Sequence, residues 1–294
     1  MLNLFYLLLF LLPTNLAKHF PIPASYVNGY LVDYLIPAIY LTDILIILLL
    51  IFKPLKKIPR SIIIFSACLL PSVIFANSFW PAAYKFLKLF ELSLFGLWLY
   101  QYKTKIKPKL VIVALSAAVL FQSSLAIGQW LNQGSLFGYW FSGEQPYNSA
   151  SSGIDKITWF DGSLKLPPLG TFTHPNVLAG FLVIIFTLTA SFWLKKSKLL
   201  FVIYSVLTVI PLFLTFSLSA WLAFLLITVP YLLLLIFPKI KAVIISLGLI
   251  IIVLSLSLRF SFLAPESSFS RRSQLAAISV KMISKRPLTG VGLN

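Results

Sequence analysis

The chain has 294 residues, of which 59% are hydrophobic and 11% charged. A soluble domain carries about 25% charged residues and needs polar side chains to cover its core, so a soluble cytosolic enzyme is excluded. The 24 Lys and Arg residues against 7 Asp and Glu give a net charge of +17, and most of these cations lie in short clusters between apolar runs. Such clusters are typical of membrane topology rather than of nucleic-acid binding. With one cysteine, Cys68, and two histidines, His19 and His174, we expect no disulfide, no metal site and no cofactor.

Apolar runs along the chain predict membrane-embedded helices, since about 20 such residues cross a bilayer. The first run, 2–12, is short and ends at Pro13. It could be the core of a signal peptide, but the cationic segment that precedes such a core is missing, so we interpret it as a tilted or shallow helix. Eight further runs are 31–52, 61–80, 86–102, 110–131, 175–194, 199–217, 218–237 and 242–258. A tight turn near Ser217 and Ser219 is inferred from length alone.

These runs predict an all-α polytopic integral membrane protein with about nine transmembrane or membrane-embedded helices. Four basic turns, 53–60, 103–109, 195–198 and 239–241, hold 13 of the 24 cations. Because cationic loops resist translocation, we place these turns and the N-terminus in the cytoplasm, with the protein in the cytoplasmic (inner) membrane. Residues 1–258 then form the helical bundle, which includes an outer loop at 132–174. Residues 259–294 begin a large outer loop.

The loop 132–174 is rich in Gly, Ser, Asn and Trp and holds Glu144, Asp155 and Asp161. We favour a role as interfacial anchors for the tryptophans at 130, 140 and 159, although aromatic rings also stack on sugar faces. The carboxylates show no spacing that argues for a glycoside hydrolase pair.

The end of this loop, Gly-Thr-Phe-Thr-His-Pro-Asn-Val-Leu-Ala-Gly at 170–180, predicts the start of a helix. Pro175 suits the first turn, and His174 or Thr173 suits the cap. Asn176 then lies in the first turn, where its amide can reach a neighbouring helix or a bound polar group. From the residues alone, a helix start with an interfacial histidine is sufficient to explain the pattern.

Ionisable residues inside two predicted spans require partners, because burying a charge in a membrane is costly. Lys85, Lys88 and Glu91 lie along one face of the run 86–102 and its approach, and Lys88 and Glu91 at i,i+3 can neutralise one another. Asp43 has no partner in its own helix and needs one from elsewhere in the bundle. A structural ion pair and a functional role are both open.

The C-terminal segment predicts an amphipathic helix on the outer membrane surface that ends at Pro287, because Leu275, Ile278, Met282 and Ile283 form an apolar stripe. Its cations stand on the side where the topology rule disfavours them, which indicates an anionic ligand such as a diphosphate or, alternatively, lipid head groups. The six cations are Arg259, Arg271, Arg272, Lys281, Lys285 and Arg286. The turn that contains Gly290 and Gly292 supplies further backbone donors.

Two patches resemble the O-antigen ligase / O-antigen polymerase superfamily. Residues 170–179 are similar to that family's helix entry, and Arg272 followed by Pro-Leu-Thr-Gly-Val-Gly-Leu at 287–293 is similar to its outer-loop signature. The segment from Tyr40 to Asp43 is weakly similar. The resemblance implies a glycosyltransferase-C-like membrane enzyme that transfers a glycan from a polyprenyl diphosphate carrier to a glycan or lipid acceptor. It implies a catalytic role for Arg272 and substrate-binding roles for His174, Asn176, Arg271, Gly290 and Gly292.

Three departures from the family pattern bear on activity. Leu218 stands where the family has an arginine, Ala276 stands where a tryptophan is frequent, and His174 does not match the family's outer-loop histidine, which lies downstream of the Gly-Val-Gly-Leu segment. We therefore expect a C-terminally truncated member. The alternatives are a lipid-linked oligosaccharide flippase or other transporter, and an inactive membrane scaffold. The expected partners are the polyprenyl-diphosphate-linked donor, a glycan or lipid acceptor and membrane lipids, with no nucleic acid.

Overall fold

The computed structural model describes residues 2–151, 153–154, 156–159, 161–241, 244–245, 248, 266–287 and 289–290, and for 266–272 it describes the backbone only. This part of the chain is mostly helical. Its α-helices are α1 (Leu2–Leu11), α2 (Leu41–Phe52), α3 (Arg60–Ile74), α4 (Phe79–Tyr102), α5 (Pro108–Asn132), α6 (Pro175–Lys196), α7 (Lys198–Leu214), α8 (Leu218–Ala223), α9 (Val229–Ile236) and α10 (Glu266–Lys285). The predicted run 242–258 lies almost wholly outside the described residues.

Three helical segments of the described chain are long and apolar enough to cross a membrane: α5, α6 and the continuous segment Leu218–Ile236. Four further apolar helices, α1, α2, α3 and α7, have 10–17 residues. A mostly helical protein with membrane-spanning segments is thus supported. The finer expectation of about nine helices in the bilayer is not confirmed by helix length.

The all-α expectation needs a correction, because short antiparallel strand pairs occur in the polar segments. Strand β1 (Ala17–His19) pairs with β4 (Ala38–Tyr40), β2 (Tyr26–Val27) with β3 (Tyr30–Leu31), and β5 (Ile157–Thr158) with β6 (Leu164–Lys165). Asn28 and Gly29, both with positive φ, form the two-residue turn between β2 and β3 that such Asn-Gly pairs favour. The predicted span at 31–52 is therefore α-helical only from Leu41 onward, with a short 3₁₀-helix at Asp33–Leu35 before it.

The boundary between α3 and α4 also differs from the prediction. Helix α3 ends at Ile74 and α4 begins at Phe79, so residues 79–85 belong to the later helix. The polar sequence Asn77-Ser78 separates the two, because short polar side chains favour caps and turns over helix interiors. Lys85, Lys88 and Glu91 consequently lie in one continuous helix.

The chain divides into two compact units. One unit comprises Ala17–Ile106 and the segment from Phe260, and the other comprises Leu2–Leu16 and Lys107–Arg259. The core of the second unit is built by α5, α6, α7 and α8, with Leu178, Leu182 and Phe186 of α6 at its centre.

Polar contacts inside this core hold the helices in register. Thr189 and Tyr204 share a hydrogen bond of 2.7 Å, and Trp193 Nε1 donates to Ser116 Oγ at 2.8 Å. The predicted tight turn near Ser217 is confirmed, since α7 ends at Leu214 and Phe216 takes a φ of 53° before α8 begins. Between α8 and α9 the helix widens to a π-turn at Phe224–Thr228, one turn before Pro230, which has no amide hydrogen to donate.

Candidate functional site

The entry to α6 is the best-defined element of the predicted site. Pro175 occupies the first helical turn and His174 is the N-cap, with its Nδ1 accepting a hydrogen bond of 3.1 Å from the backbone N–H of Asn176. This confirms the predicted helix start, and it selects His174 over Thr173 as the cap. The side chains of His174 and Asn176 are both exposed, so this helix terminus faces outward from its unit.

Gly170 precedes this helix entry and fills a position that only glycine suits. Its φ is +61°, and a Cβ atom there would collide with Oε1 of Gln122. A side chain would thus meet both backbone strain and a buried amide. The glycine of the 170–179 patch is explained by this close approach of the loop to α5.

Gln129 of α5 binds the same loop through its side-chain amide, which pairs with the loop backbone as another peptide group would. Its Oε1 accepts from the backbone N–H groups of Leu169 (3.0 Å) and Gly170 (2.8 Å), and its Nε2 donates to the carbonyl oxygen of Gly170 (2.8 Å). The side chain is fully buried. Two sides of Gly170 are therefore fixed by one amide.

Gln122, two helical turns earlier on the same face of α5, fixes the next residue. Its Nε2 donates to Thr171 Oγ1 at 2.9 Å, and its Oε1 accepts from the Thr171 backbone N–H at 3.1 Å. The Thr171 hydroxyl in turn donates to the carbonyl oxygen of Pro13. A buried network that is satisfied in this way fixes the approach to α6 in one conformation.

Glu144 is the anionic centre of the loop 132–174 and is fully buried. Its Oε1 accepts from the Leu136 backbone N–H and from Gln129 Nε2, both at 2.8 Å, and its Oε2 accepts from the backbone N–H groups of Phe137 (2.7 Å) and Gly138 (2.9 Å). Consecutive backbone N–H groups of this kind form an anion-binding nest. The carboxylate therefore organises the loop and is occupied by the protein itself.

Asp161, another carboxylate of the loop, does not join Glu144. Asp161 is exposed and accepts hydrogen bonds from the side chain and backbone of Ser163, and these lower the pKa of its carboxyl. Asp155 lies outside the described residues. Across the part of the chain that the structure describes, no group of three or more His, Cys, Asp or Glu side chains could hold a metal ion.

Aromatic side chains cluster beside the same loop. Trp130 of α5 lies 5.1 Å from Trp159 and 6.2 Å from Phe216, measured between ring centroids, and Phe216 lies 5.8 Å from Trp221. These rings are half-buried. Trp140 differs, because its ring is 75% exposed. Trp130 and Trp159 thus pack in a cluster, and Trp140 lies at the surface.

The C-terminal site residues lie in the other unit. The backbone at Arg271 and Arg272 is part of α10, but their side chains lie outside the described structure. The helix ends at Lys285, two residues before Pro287, as predicted, and Gly290 has a φ of +66°. Gly292 lies outside the described residues. The structure therefore brings His174 and Asn176 together in one unit. Arg271, Arg272 and Gly290 belong to the other unit, where they lie close to one another along the chain.

Helix α10 exposes its apolar stripe, and the residue that follows the helix contacts the end of α3. The guanidinium of Arg286 donates to the carbonyl oxygen of Phe75 at 2.8 Å. The predicted apolar stripe is exposed, with Leu275, Ile278, Met282 and Ile283 each between 46% and 63% accessible. An exposed stripe of this kind is what a helix on a membrane surface presents to lipid.

The charged residues of the predicted spans do find one another. Lys88 of α4 forms an ion pair with Asp43 of α2 and lies 3.8 Å from Glu91, while the Asp43 carboxylate also accepts from the Tyr40 backbone N–H at 2.7 Å. The Lys88 ammonium stands 5.3 Å and 5.6 Å from the ring centroids of Tyr40 and Tyr84. The expectation that Asp43 takes a partner from another helix is confirmed.

Sequence reasoning missed the glutamine stripe of α5. Gln122 and Gln129 lie on one face of the helix, and Gln133, which follows the end of the helix, accepts at its Oε1 from the Leu166 backbone N–H at 2.9 Å. The signal was present, since amides spaced seven and four residues apart inside an apolar run need buried partners. Their backbone partners lie at residues 166–171, which are 33 to 49 residues away along the chain.

Comparisons of this chain with protein-family models, with curated proteins and with solved structures found no match.

Proposed function

We propose that the protein is a membrane glycan ligase or polymerase that transfers a glycan from a polyprenyl diphosphate carrier to a glycan or lipid acceptor at the outer face of the cytoplasmic membrane. Three apolar helices of spanning length support the membrane setting. The observation that carries the proposal is the fixed helix entry at 170–176. Buried amides of α5 hold Gly170 and Thr171, and the exposed His174 and Asn176 follow directly.

The chemistry fits a carrier whose leaving group is already activated. In the transfer, the acceptor hydroxyl oxygen forms a bond to the anomeric carbon, the bond from that carbon to the diphosphate breaks, and the hydroxyl proton passes to a base. The departing diphosphate carries the developing negative charge, and a guanidinium can meet it with two parallel hydrogen bonds. We assign this role to Arg272, with Arg271, Gly290 and Gly292 as further donors.

His174 and Asn176 are assigned to substrate binding. A helix N-terminus with an exposed imidazole and an exposed amide offers donors and acceptors that suit sugar hydroxyls or an anionic group. The half-buried rings of Trp130, Trp159, Phe216 and Trp221 belong to the same unit and offer aromatic surface of the kind on which sugar rings stack.

Substitution of Arg272 tests the proposal. The assay is transfer of a polyprenyl-diphosphate-linked glycan to acceptor by the purified protein in liposomes. We expect Arg272→Ala to lower the rate by about 100- to 1,000-fold, the usual effect of losing one charge-stabilising donor at a transition state. Arg272→Lys should not restore it, because an ammonium lacks the planar fork.

Arg271 is the matched control for this experiment. Arg271 is assigned only a supporting role as a further donor, so Arg271→Ala should lower the rate a few-fold at most. An equal loss in both variants would indicate a diffuse basic surface, and an unchanged rate in Arg272→Ala would defeat the assignment. Leu218 begins α8 and is 57% exposed. Leu218→Arg restores the arginine that the family pattern has at this position and should raise the rate.

A further inference from the structure

Two largely buried glutamates of this chain differ in the hydrogen-bond donors that face them. Glu144 accepts four hydrogen bonds, from Gln129 and from the backbone N–H groups of residues 136–138, and such donors stabilise an ionised carboxylate. In the described part of the chain, the buried Oε1 of Glu91 accepts none. Its Oε2 lies 3.8 Å from the Lys88 ammonium, which is longer than a hydrogen bond. The surroundings of Glu91 therefore stabilise a carboxylate much less.

Lys88 is shared between two carboxyl groups, and Asp43 is the better placed of the two. The Asp43 carboxylate forms an ion pair with the Lys88 ammonium and also accepts from the Tyr40 backbone N–H at 2.7 Å. Glu91 has only the long contact to the same ammonium. When both carboxyl groups are ionised, two negative charges and one positive charge leave the cluster with a net charge of −1.

The other elements that pack against α4 do not supply the missing positive charge. Among the described residues, the charged groups that act on Glu91 are the two already named, and Tyr84 is a further titratable group in electrostatic contact with it. The titratable side chains of α3 are Arg60 and Cys68, which are both exposed and do not act on Glu91. The short 3₁₀-helix Pro23–Ser25 has no titratable side chain.

We propose that Asp43, Lys88 and Glu91 form a proton-binding site in which Glu91 carries an exchangeable proton at neutral pH. With this proton, one carboxylate faces one ammonium and the cluster is neutral. Neutrality avoids the cost of an unbalanced charge inside a predicted membrane span and of two anionic carboxylates that share one cation. The Glu91 side chain is 15% exposed, so its carboxyl group is accessible for exchange. The site does not depend on the transferase proposal.

A proton-binding site of this kind makes the stability of the protein depend on pH. The unfolded chain releases the proton at neutral pH, because an unperturbed glutamic acid titrates at about pH 4.3, whereas the folded protein retains it. Binding of a proton to the folded state alone stabilises that state. The stabilisation is therefore present at neutral pH and is lost as the pH rises through the range in which Glu91 releases its proton.

Infrared spectroscopy of the purified full chain, in a detergent without carbonyl groups, tests the proposal. At about pH 7, exposed carboxyl groups are ionised and do not contribute a C=O band of the acid form. We expect the difference between the unsubstituted protein and Glu91→Gln to show one such band, which shifts in D₂O because the proton exchanges. Glu144→Gln is the matched control and should retain the band, since Glu144 is held as a carboxylate. Absence of the band, or its loss in Glu144→Gln instead of Glu91→Gln, would overturn the proposal.

Asp43→Asn tests whether competition for Lys88 is the cause. Without the aspartate, the Lys88 ammonium is free to pair with Glu91, so Glu91 should lose its proton and the band should disappear although Glu91 is still present. A band that persists in Asp43→Asn would show that burial alone protonates Glu91, and it would overturn the shared site.

The pH dependence of thermal unfolding is an independent measurement. Relative to Glu91→Gln, which can neither bind nor release this proton, the midpoint of the unsubstituted protein should fall between about pH 5 and pH 9. Parallel profiles for the two proteins would contradict the proposal. The transfer assay with Arg272 variants does not enter this comparison, so a failed transferase assignment and a failed proton site are distinguishable.

Discussion

Gln129 Nε2 and Glu144 Oε1 share a hydrogen bond of 2.8 Å between two fully buried side chains. Through this bond, α5 is joined to the backbone nest at 136–138, near the start of the loop 132–174. Gln129 also holds Gly170, so two parts of the loop that are 26 residues apart along the chain meet at one amide. The segments at 136–144 and 169–171 consequently have a fixed relation to each other and to the start of α6.

The first prediction concerns Glu144. Glu144→Ala should lower the thermal stability of the purified protein clearly, because the backbone N–H groups of Leu136, Phe137 and Gly138 lose a carboxylate acceptor. A hydrogen bond to a charged group contributes about 1.5–3 kcal/mol. The stability of Glu144→Gln should fall between that of the unsubstituted protein and that of Glu144→Ala, since the NH₂ group of the glutamine would face other donors. The measurement is the apparent midpoint of thermal unfolding in detergent. Asp161→Ala is the control and should leave the midpoint nearly unchanged. Similar midpoints for all three variants would contradict the structural role of Glu144.

The second prediction concerns Gly170, where an added Cβ would meet both backbone strain and the side chain of Gln122. Gly170→Ala should destabilise the protein more than Gly162→Ala, because both glycines have positive φ but only Gly170 has an atom of another side chain in the way. Placing a Cβ in the left-handed region costs about 1–2 kcal/mol by itself. The same unfolding measurement compares the two variants. If they lose equal stability, the contact with Gln122 is not restrictive.

A third prediction concerns the ion cluster of α2 and α4. Lys88→Met leaves the carboxylates of Asp43 and Glu91 without their cation. Breaking a fully buried pair in this way costs about 3–5 kcal/mol, and the loss should be smaller here because the pair is partly buried. Lys85→Met, on the same helix and without a described carboxylate partner, should cost far less. The double variant Asp43→Asn with Lys88→Met should recover part of the loss, since a contacting pair does not behave additively. Additive losses would argue against the pair.

The fourth prediction tests the topology that the cationic turns imply. In a Cys68→Ser background, a cysteine at Gly153 should react with an impermeant thiol reagent in intact cells, and a cysteine at Lys105 should not. Both positions are exposed in the structure, so accessibility within the protein does not decide the result. Labelling at Lys105 instead of Gly153 would reverse the orientation.

Much of the helical pattern could be predicted from the sequence, because hydrophobic runs and helix-start residues are local signals. Helices α5 and α6 match their predicted runs within two residues at each end, and the start of α6 is fixed by His174 and Pro175. The predictions were wrong where tertiary pairing overrides hydrophobicity. Residues 31–40 are apolar enough to continue a helix, yet two of their segments complete antiparallel strand pairs.

By itself, the sequence determined that this is a mostly helical membrane protein, that α6 begins at the His-Pro-Asn segment, and that Asp43 must find a cation outside its own helix. These conclusions rest on the cost of exposing apolar surface or burying a charge, which depends on composition and local spacing. Only the tertiary structure decided that Lys88 supplies the cation and that Gln122 and Gln129 hold the loop at Gly170 and Thr171. Only the structure, too, showed that Glu144 is held by a nest of backbone N–H groups. Hydrogen bonds are short and directional, so their partners across 15 to 49 residues follow from how the chain packs and not from local sequence.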